Sequence, residues 1–299
     1  MKVPSFVSRI AQLVVLCAST SVLFVFGNDE RLGGSTNIEE KTDGIANSSD
    51  TVSPKTSADI KEATAHVGKC QLTLSNATPE RLLKVCEHPL LSFGDPARDN
   101  EAGTLWAWSD GGRPVAIMEL YRPSEAGAGW TSAWTLTSNH LVKMTLDTVE
   151  TWFPVNSDFT LQDFPDNAAV NNRPVVRLRQ MKDLARRFET HEFWDPENSR
   201  FELRCLATPV LRYSDNENGV FDGSVFIFAH GTNPEILLFL EAQGTTAETS
   251  KWQFAAFRLG SAEMHLDLNR QPVWSRDRTP GVVGMPNNPY WLQVPRETP

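Results

Sequence analysis

The chain has 299 residues, enough for one large domain or two small ones, and a hydrophobic content of 40% suits a globular protein with a sizeable core. A formal net charge of −9 repels phosphate backbones, which argues against nucleic acid as a partner. No phosphate loop, dinucleotide fingerprint, Gly-x-Ser-x-Gly or Cys-x-x-Cys occurs in the sequence, so no catalytic residue and no cofactor is assigned.

The N-terminus reads as an export signal. Lys2 and Arg9 form a short positive region, and an apolar run follows from Ile10 to Phe26. Val25-Phe26-Gly27 meets the small-residue requirement of a signal peptidase, so residues 1–27 are removed and Asn28 opens the mature chain. The rival reading is an uncleaved membrane anchor, because about 17–25 apolar residues can span a bilayer. Cys17 is not a lipoprotein cysteine, since Leu16 precedes it and the apolar run continues beyond it. Either way the protein is placed outside the cytoplasm: periplasmic, on the cell surface or secreted. Residues 28–68 are polar, with few large apolar side chains, and read as a disordered leader. Asn47-Ser48-Ser49 and Asn76-Ala77-Thr78 match the glycosylation acceptor pattern, which matters only in a eukaryotic secretory pathway.

From residue 69 to 278 the pattern is that of one β-rich domain. Val142, Met144 and Leu146 alternate with polar residues, as do Met264, Leu266 and Leu268, the period of half-buried strands. Ser224–Ala229 and Ile236–Leu240 are apolar on both faces, as in central strands covered twice. The domain also repeats. At a constant shift of 120, Pro89, Leu91, Asp95, Gly103, Gly111, Pro114 and Leu120 fall on Pro209, Leu211, Asp215, Gly223, Gly231, Pro234 and Leu240. At a shift of 122, Trp130, Ala133, Leu146 and Trp152 fall on Trp252, Ala255, Leu268 and Trp274. The matched residues are turn formers and core fillers, so the duplication preserves a fold rather than a reaction centre. The units span about 81–154 and 201–276, each an antiparallel meander. Gly111 and Gly231, between two apolar runs, mark hairpin turns.

Between the units, residues 174–189 predict a helix with Pro174 in its first turn and Val175, Leu178, Met181, Ala185 and Phe188 on its apolar face. After residue 278 the chain is Pro- and Gly-rich, and 279–299 read as an irregular tail. The expected fold is α+β, dominated by antiparallel sheet: two repeated meanders, one amphipathic helix between them and a shared core, because either unit alone is small.

Four stretches carry a resemblance: Asp110–Pro114, Arg177–Phe188, Leu203–Tyr213 and Gly231–Glu235. Together they resemble a family of uncharacterised exported proteins common in planctomycete bacteria, over roughly residues 81–275. The resemblance implies bacterial export, which makes the glycosylation patterns irrelevant. It implies no activity, cofactor or functional residue.

Several residues remain as candidate sites. Trp106, Trp108, Trp130 and Trp134 form an aromatic set that can stack a sugar or another apolar ligand; the plain alternative is a core packed with large rings. Trp134 stands opposite Ala256 in the second unit, the asymmetry that the core reading explains least well. Arg177, Arg179, Lys182, Arg186 and Arg187 offer a basic helix face to a protein or lipid partner, or are simply solvated. Asp215, Glu217 and Asp222 have calcium-type oxygens, without the spacing of a known loop, and no metal is assigned. Cys86 and His88 share a strand face as nucleophile and base would, with no third orienting residue. Among Cys70, Cys86 and Cys205, one disulfide or three free thiols both fit. The function expected is an exported non-enzymatic binding or structural protein of unknown ligand, with any ligand between the units and near the Trp-rich strand. The alternative is an extracytoplasmic hydrolase without a recognisable motif.

Overall fold

A computed structural model describes residues 54–75, 79–95, 100–125, 129–279 and 285–294. The signal at 1–27 and the leader up to residue 53 lie outside the described residues. Among the described residues, no helix is long and apolar enough to cross a membrane.

The first unit runs α1 (Pro54–Val67), β1 (Cys70–Leu74), β2 (Arg81–Leu82), β3 (Lys84–Val85), β4 (Leu91–Asp95), β5 (Asn100–Ser109), β6 (Pro114–Pro123), β7 (Thr131–Leu136), β8 (Val142–Leu146) and β9 (Val149–Trp152). A short strand, β10 (Gln162–Asp163), follows. The second unit repeats the order as α2 (Pro174–Ala185), β11 (Phe188–Phe193), β12 (Phe201–Glu202), β13 (Arg204–Cys205), β14 (Leu211–Asp215), β15 (Val220–His230), β16 (Asn233–Gln243), β17 (Lys251–Arg258), β18 (Glu263–Leu268) and β19 (Gln271–Arg276). It too is followed by a short strand, β20 (Tyr290–Gln293). The protein is α+β and mostly antiparallel sheet, with two helices among the described residues where one was expected.

Two expectations are corrected here. Pro54–Val67 is helical although the leader was expected to be structureless through residue 68. Its polar composition hides two apolar anchors, Ala63 and Val67, which are buried in the core of the first unit. Likewise the tail contains β20, whose Tyr290 and Trp291 are buried.

The period-two pattern builds four layers. β5, β6 and β7 form a sheet with β3 and β4, and β15, β16 and β17 form its counterpart with β13 and β14. On β5, Trp106 and Trp108 enter the first unit's own core, against the outer sheet β2-β1-β8-β9 and α1. Leu105 and Ala107 point the other way, onto Val225, Ile227, Leu237, Phe239 and Phe257 of the second unit. On β15, Phe226 and Phe228 enter the second unit's core, against β12-β11-β18-β19 and α2. Both central sheets are therefore covered twice, and a third apolar cluster joins the units face to face.

The repeat extends to fine geometry. The register of β4 on β5 shifts between Phe93 and Asp95, and that of β14 on β15 between Tyr213 and Asp215. Asp147-Thr148 and Asn269-Arg270 both turn with positive φ in equivalent two-residue hairpins. Gly111 and Gly231 have positive φ, as turn glycines. Gly103 and Gly223 have a different reason: a Cβ there would overlap the cross-strand rings of Phe93 and Tyr213.

The units also exchange strands. β10, which follows the first unit, adds to β17 of the second; β20, which follows the second, adds to β7 of the first. Gln162 faces Phe254, and Gln293 faces Ser132, the residue equivalent to Phe254.

The face of α2 is turned relative to its predicted apolar stripe. Arg177, Met181, Leu184 and Ala185 are buried, Val175 is 76% exposed, and Phe188 already belongs to β11. The helix ends at Ala185, short of the expected 189.

Candidate functional site

The turn between β5 and β6, residues 110–113, and the turn after β14, residues 214–218, come together at one end of the junction between units. They line a cleft of about 680 Å³ with Arg81, Ser138, Asn139, His140, Phe159 and Gln243. Beneath it, a network that includes the lining residues Arg113 and Gln243 crosses the junction. Arg113 Nε donates to Glu241 Oε1 at 2.7 Å, and its NH2 nitrogen donates to Glu241 Oε2. The Tyr213 hydroxyl and the Gln243 amide also donate to Glu241. Glu241 is fully buried, and these donors take the place of solvent around its carboxylate. Burial opposes the Arg113 charge, but Glu241 and Tyr213 more than offset it and hold its pKa above the ordinary value.

Other groups fix the rim. Asp215 accepts the Arg113 backbone N–H at 3.1 Å and the Asn218 backbone N–H at 3.1 Å. Gly112 permits this approach, since a Cβ there would overlap the Asp215 carboxylate. Arg81 pairs with Asp110 at 2.7 Å. Phe159 is held between the Arg113 guanidinium, 4.5 Å from its centroid, and the stacked ring of Phe257. The result is a cleft with a rigid charged floor and a rim of hydroxyl and amide groups.

At the opposite end of the junction lies a smaller cavity of about 350 Å³. Glu119 and Glu235, one from each unit, are both buried there beside Tyr121 and Tyr290. The sequence aligned neither glutamate with an acidic partner; the sheet-on-sheet packing brings them together. Burial first, then the Glu119 charge, pushes both tyrosine hydroxyls up.

The predicted aromatic site is corrected. Trp106, Trp108 and Trp134 are fully buried, and Trp134 lies between Trp108 and Trp152 with centroids 4.9 and 5.5 Å away. Trp130 packs on the same core, its ring 5.0 Å from the Arg122 guanidinium. Trp106, Trp108 and Trp134 face the first unit's interior and not the junction, so no ligand can stack on these three, while Trp130 is half-buried. The calcium reading is also corrected. Asp222 is buried and accepts from Arg177 at 2.6 Å and Arg212 at 2.6 and 2.9 Å, Asp215 serves the cleft loop, and Glu217 is exposed. Among the described residues, no group of three metal-type ligands occurs.

The basic face divides in two. Arg177 is buried, ties α2 to Asp222 and stacks over Phe221, and Arg187 pairs with Asp166, so neither serves a partner surface. Arg179 and Arg186 are exposed beside Asp183, and Lys182 is half-buried with them. For Cys86 and His88, burial raises the thiol pKa and the sulfur accepts the Ala107 N–H, while His88 is exposed. All three described cysteines are free; burial raises Cys70 to about 12 and Cys205 to about 11. None is a poised thiolate.

Compared with known proteins, the chain matches no family model, no curated sequence and no solved structure.

Proposed function

We propose that the protein is an exported, non-enzymatic binding protein that holds a polar ligand in the junction cleft between its two units. The observation that carries this reading is the Arg113–Glu241–Tyr213 network. A charged floor held from both units, beneath a rim that carries amides and hydroxyls, is the arrangement of a preformed recognition site. Glu241, Asp215 and Asp110 are engaged as acceptors, and the described thiols are inert, which favours recognition over turnover. Export is supported by Lys2 and Arg9 ahead of the Ile10–Phe26 run. The resemblance to uncharacterised exported planctomycete proteins supports the same placement.

The test is a thermal-shift screen of residues 28–299 against glycans, peptides, lipids, calcium and small anions. A ligand of the folded state at about a hundredfold excess over its Kd stabilises by about 2.7 kcal/mol. Asn139→Trp, at an exposed position on the rim, should block that shift and leave the unliganded Tm unchanged. If no class shifts Tm, or if Asn139→Trp keeps the shift, the cleft is not a binding site.

A further inference from the structure

The duplication supplies an internal template for a second site. In the first unit, Trp134 on β7 faces Trp291 on β20 across the strand pair, and both rings are buried. Trp152 is 0% exposed beneath them, 5.5 Å from Trp134, and its Nε1 donates to Asn288 O at 2.9 Å. The equivalent places in the second unit hold Ala256 and, when the β10–β17 register is continued two residues past the Gln162–Phe254 pair, Thr160. Two indoles are thus replaced by a methyl and a hydroxyl-bearing side chain at one spot. The space is not refilled: a groove of about 620 Å³ lies over Ala256, Thr160 and Trp274, the counterpart of Trp152. Trp274 has neither stacking indole nor anchor. It is half-buried, and among the described residues its Nε1 has no hydrogen-bond partner. Part of its ring is therefore open to the groove where Trp152 is covered.

The rim of the groove states what fits. Asp158 and Arg276 form an ion pair at 3.5 Å, and the Arg276 guanidinium sits 5.1 Å from the Trp274 centroid. Gln162 donates to Val273 O at 3.3 Å, while Ser275 and Thr160 add hydroxyls. His265 is held by Glu263 at 2.8 Å and stacked on His191 at 4.7 Å. An aromatic ligand would match the missing volume but set an apolar edge against this polar rim, leaving desolvated groups unpaired. A pyranose ring presents apolar C–H groups on its face and hydroxyls at its edge, which matches indole and rim together.

We propose that the groove over Ala256 and Trp274 is a sugar-binding site that takes a pyranose unit of a glycan. It is separate from the junction cleft and does not depend on it. The test is calorimetric titration of residues 28–299 with cellohexaose, chitohexaose and mannohexaose at millimolar concentration. Binding of at least one is expected, weakened about tenfold or more by Ala256→Trp, which restores the packing of the first unit. Because Ala256→Trp rebuilds a stack the fold already contains, it should keep or raise Tm. Trp274→Phe is the second variant, retaining an aromatic ring of smaller face, and it should also weaken binding. Asn139→Trp, in the other cleft, should not change it. Absence of saturable binding by all three oligosaccharides overturns the proposal, as does unchanged affinity in Ala256→Trp. Binding of free indole with no sugar binding overturns the ligand class.

Discussion

Glu241 is fully buried, and its carboxylate is paired from the other unit by Arg113. Removing the carboxylate strands a guanidinium in the junction, so Glu241→Ala should cost about 3–5 kcal/mol in denaturant unfolding. The chain's three tyrosines, Tyr121, Tyr213 and Tyr290, all have hydroxyl pKa values raised chiefly by burial. The unfolded chain therefore loses these protons first, near pH 10, so their contribution is fully present below that pH and declines as pH rises above it. Phenolate absorbance should show almost no tyrosine titration near pH 10 in native protein and full titration in denaturant. Native titration at the ordinary value would refute the buried placement. At this scale the sequence was partly legible. Gly103 and Gly223 were visible as a matched pair, but their cause is a ring from a neighbouring strand, which no local pattern encodes.

The helices show how far periodicity reaches. Helical spacing correctly places Met181 and Ala185 on the buried face of α2, yet Arg177 takes the place that hydrophobicity assigned to Val175. The reason is Asp222 on β15, which gives the arginine a charged partner inside the fold. The first unit makes a similar link with the charges reversed: matching Cys70 to Phe188 through their partners Leu146 and Leu268 puts Asp59 of α1 at the place of Arg177, and it pairs with Arg122 of β6 at 2.5 Å. A polar helix docked by an ion pair and two small anchors has little apolar signal, which is why Pro54–Val67 read as part of a leader. Val67→Ala should lower stability by about 2 kcal/mol, whereas Val175→Ala should change it by less than about 0.5 kcal/mol. Equal effects in thermal unfolding would mean that α1 is not integral to the domain.

Across the whole molecule, the exchanged strands and the face-to-face cluster make each unit depend on the other. A chain of residues 174–299 alone would lack β10, expose the junction face of β15, β16 and β17, and leave Glu241 without Arg113. It should aggregate or bind hydrophobic dye rather than unfold cooperatively. The complete chain should show one calorimetric transition. A cooperative monomer from residues 174–299 would show that the shared core is dispensable.

The strand pattern, the duplication and the doubly covered central strands were set by sequence alone, because they rest on period-two alternation and on self-similarity, both local or internal properties of the chain. The Trp set was legible as one aromatic group, with a ligand platform and a packed core both open, since alternation says which residues share a face and not what that face meets. The junction cleft, the Glu119–Glu235 cavity and the groove over Trp274 were decided only by tertiary structure. Each depends on contacts between residues far apart in the chain, made when two sheets stack and each unit lends a strand to the other.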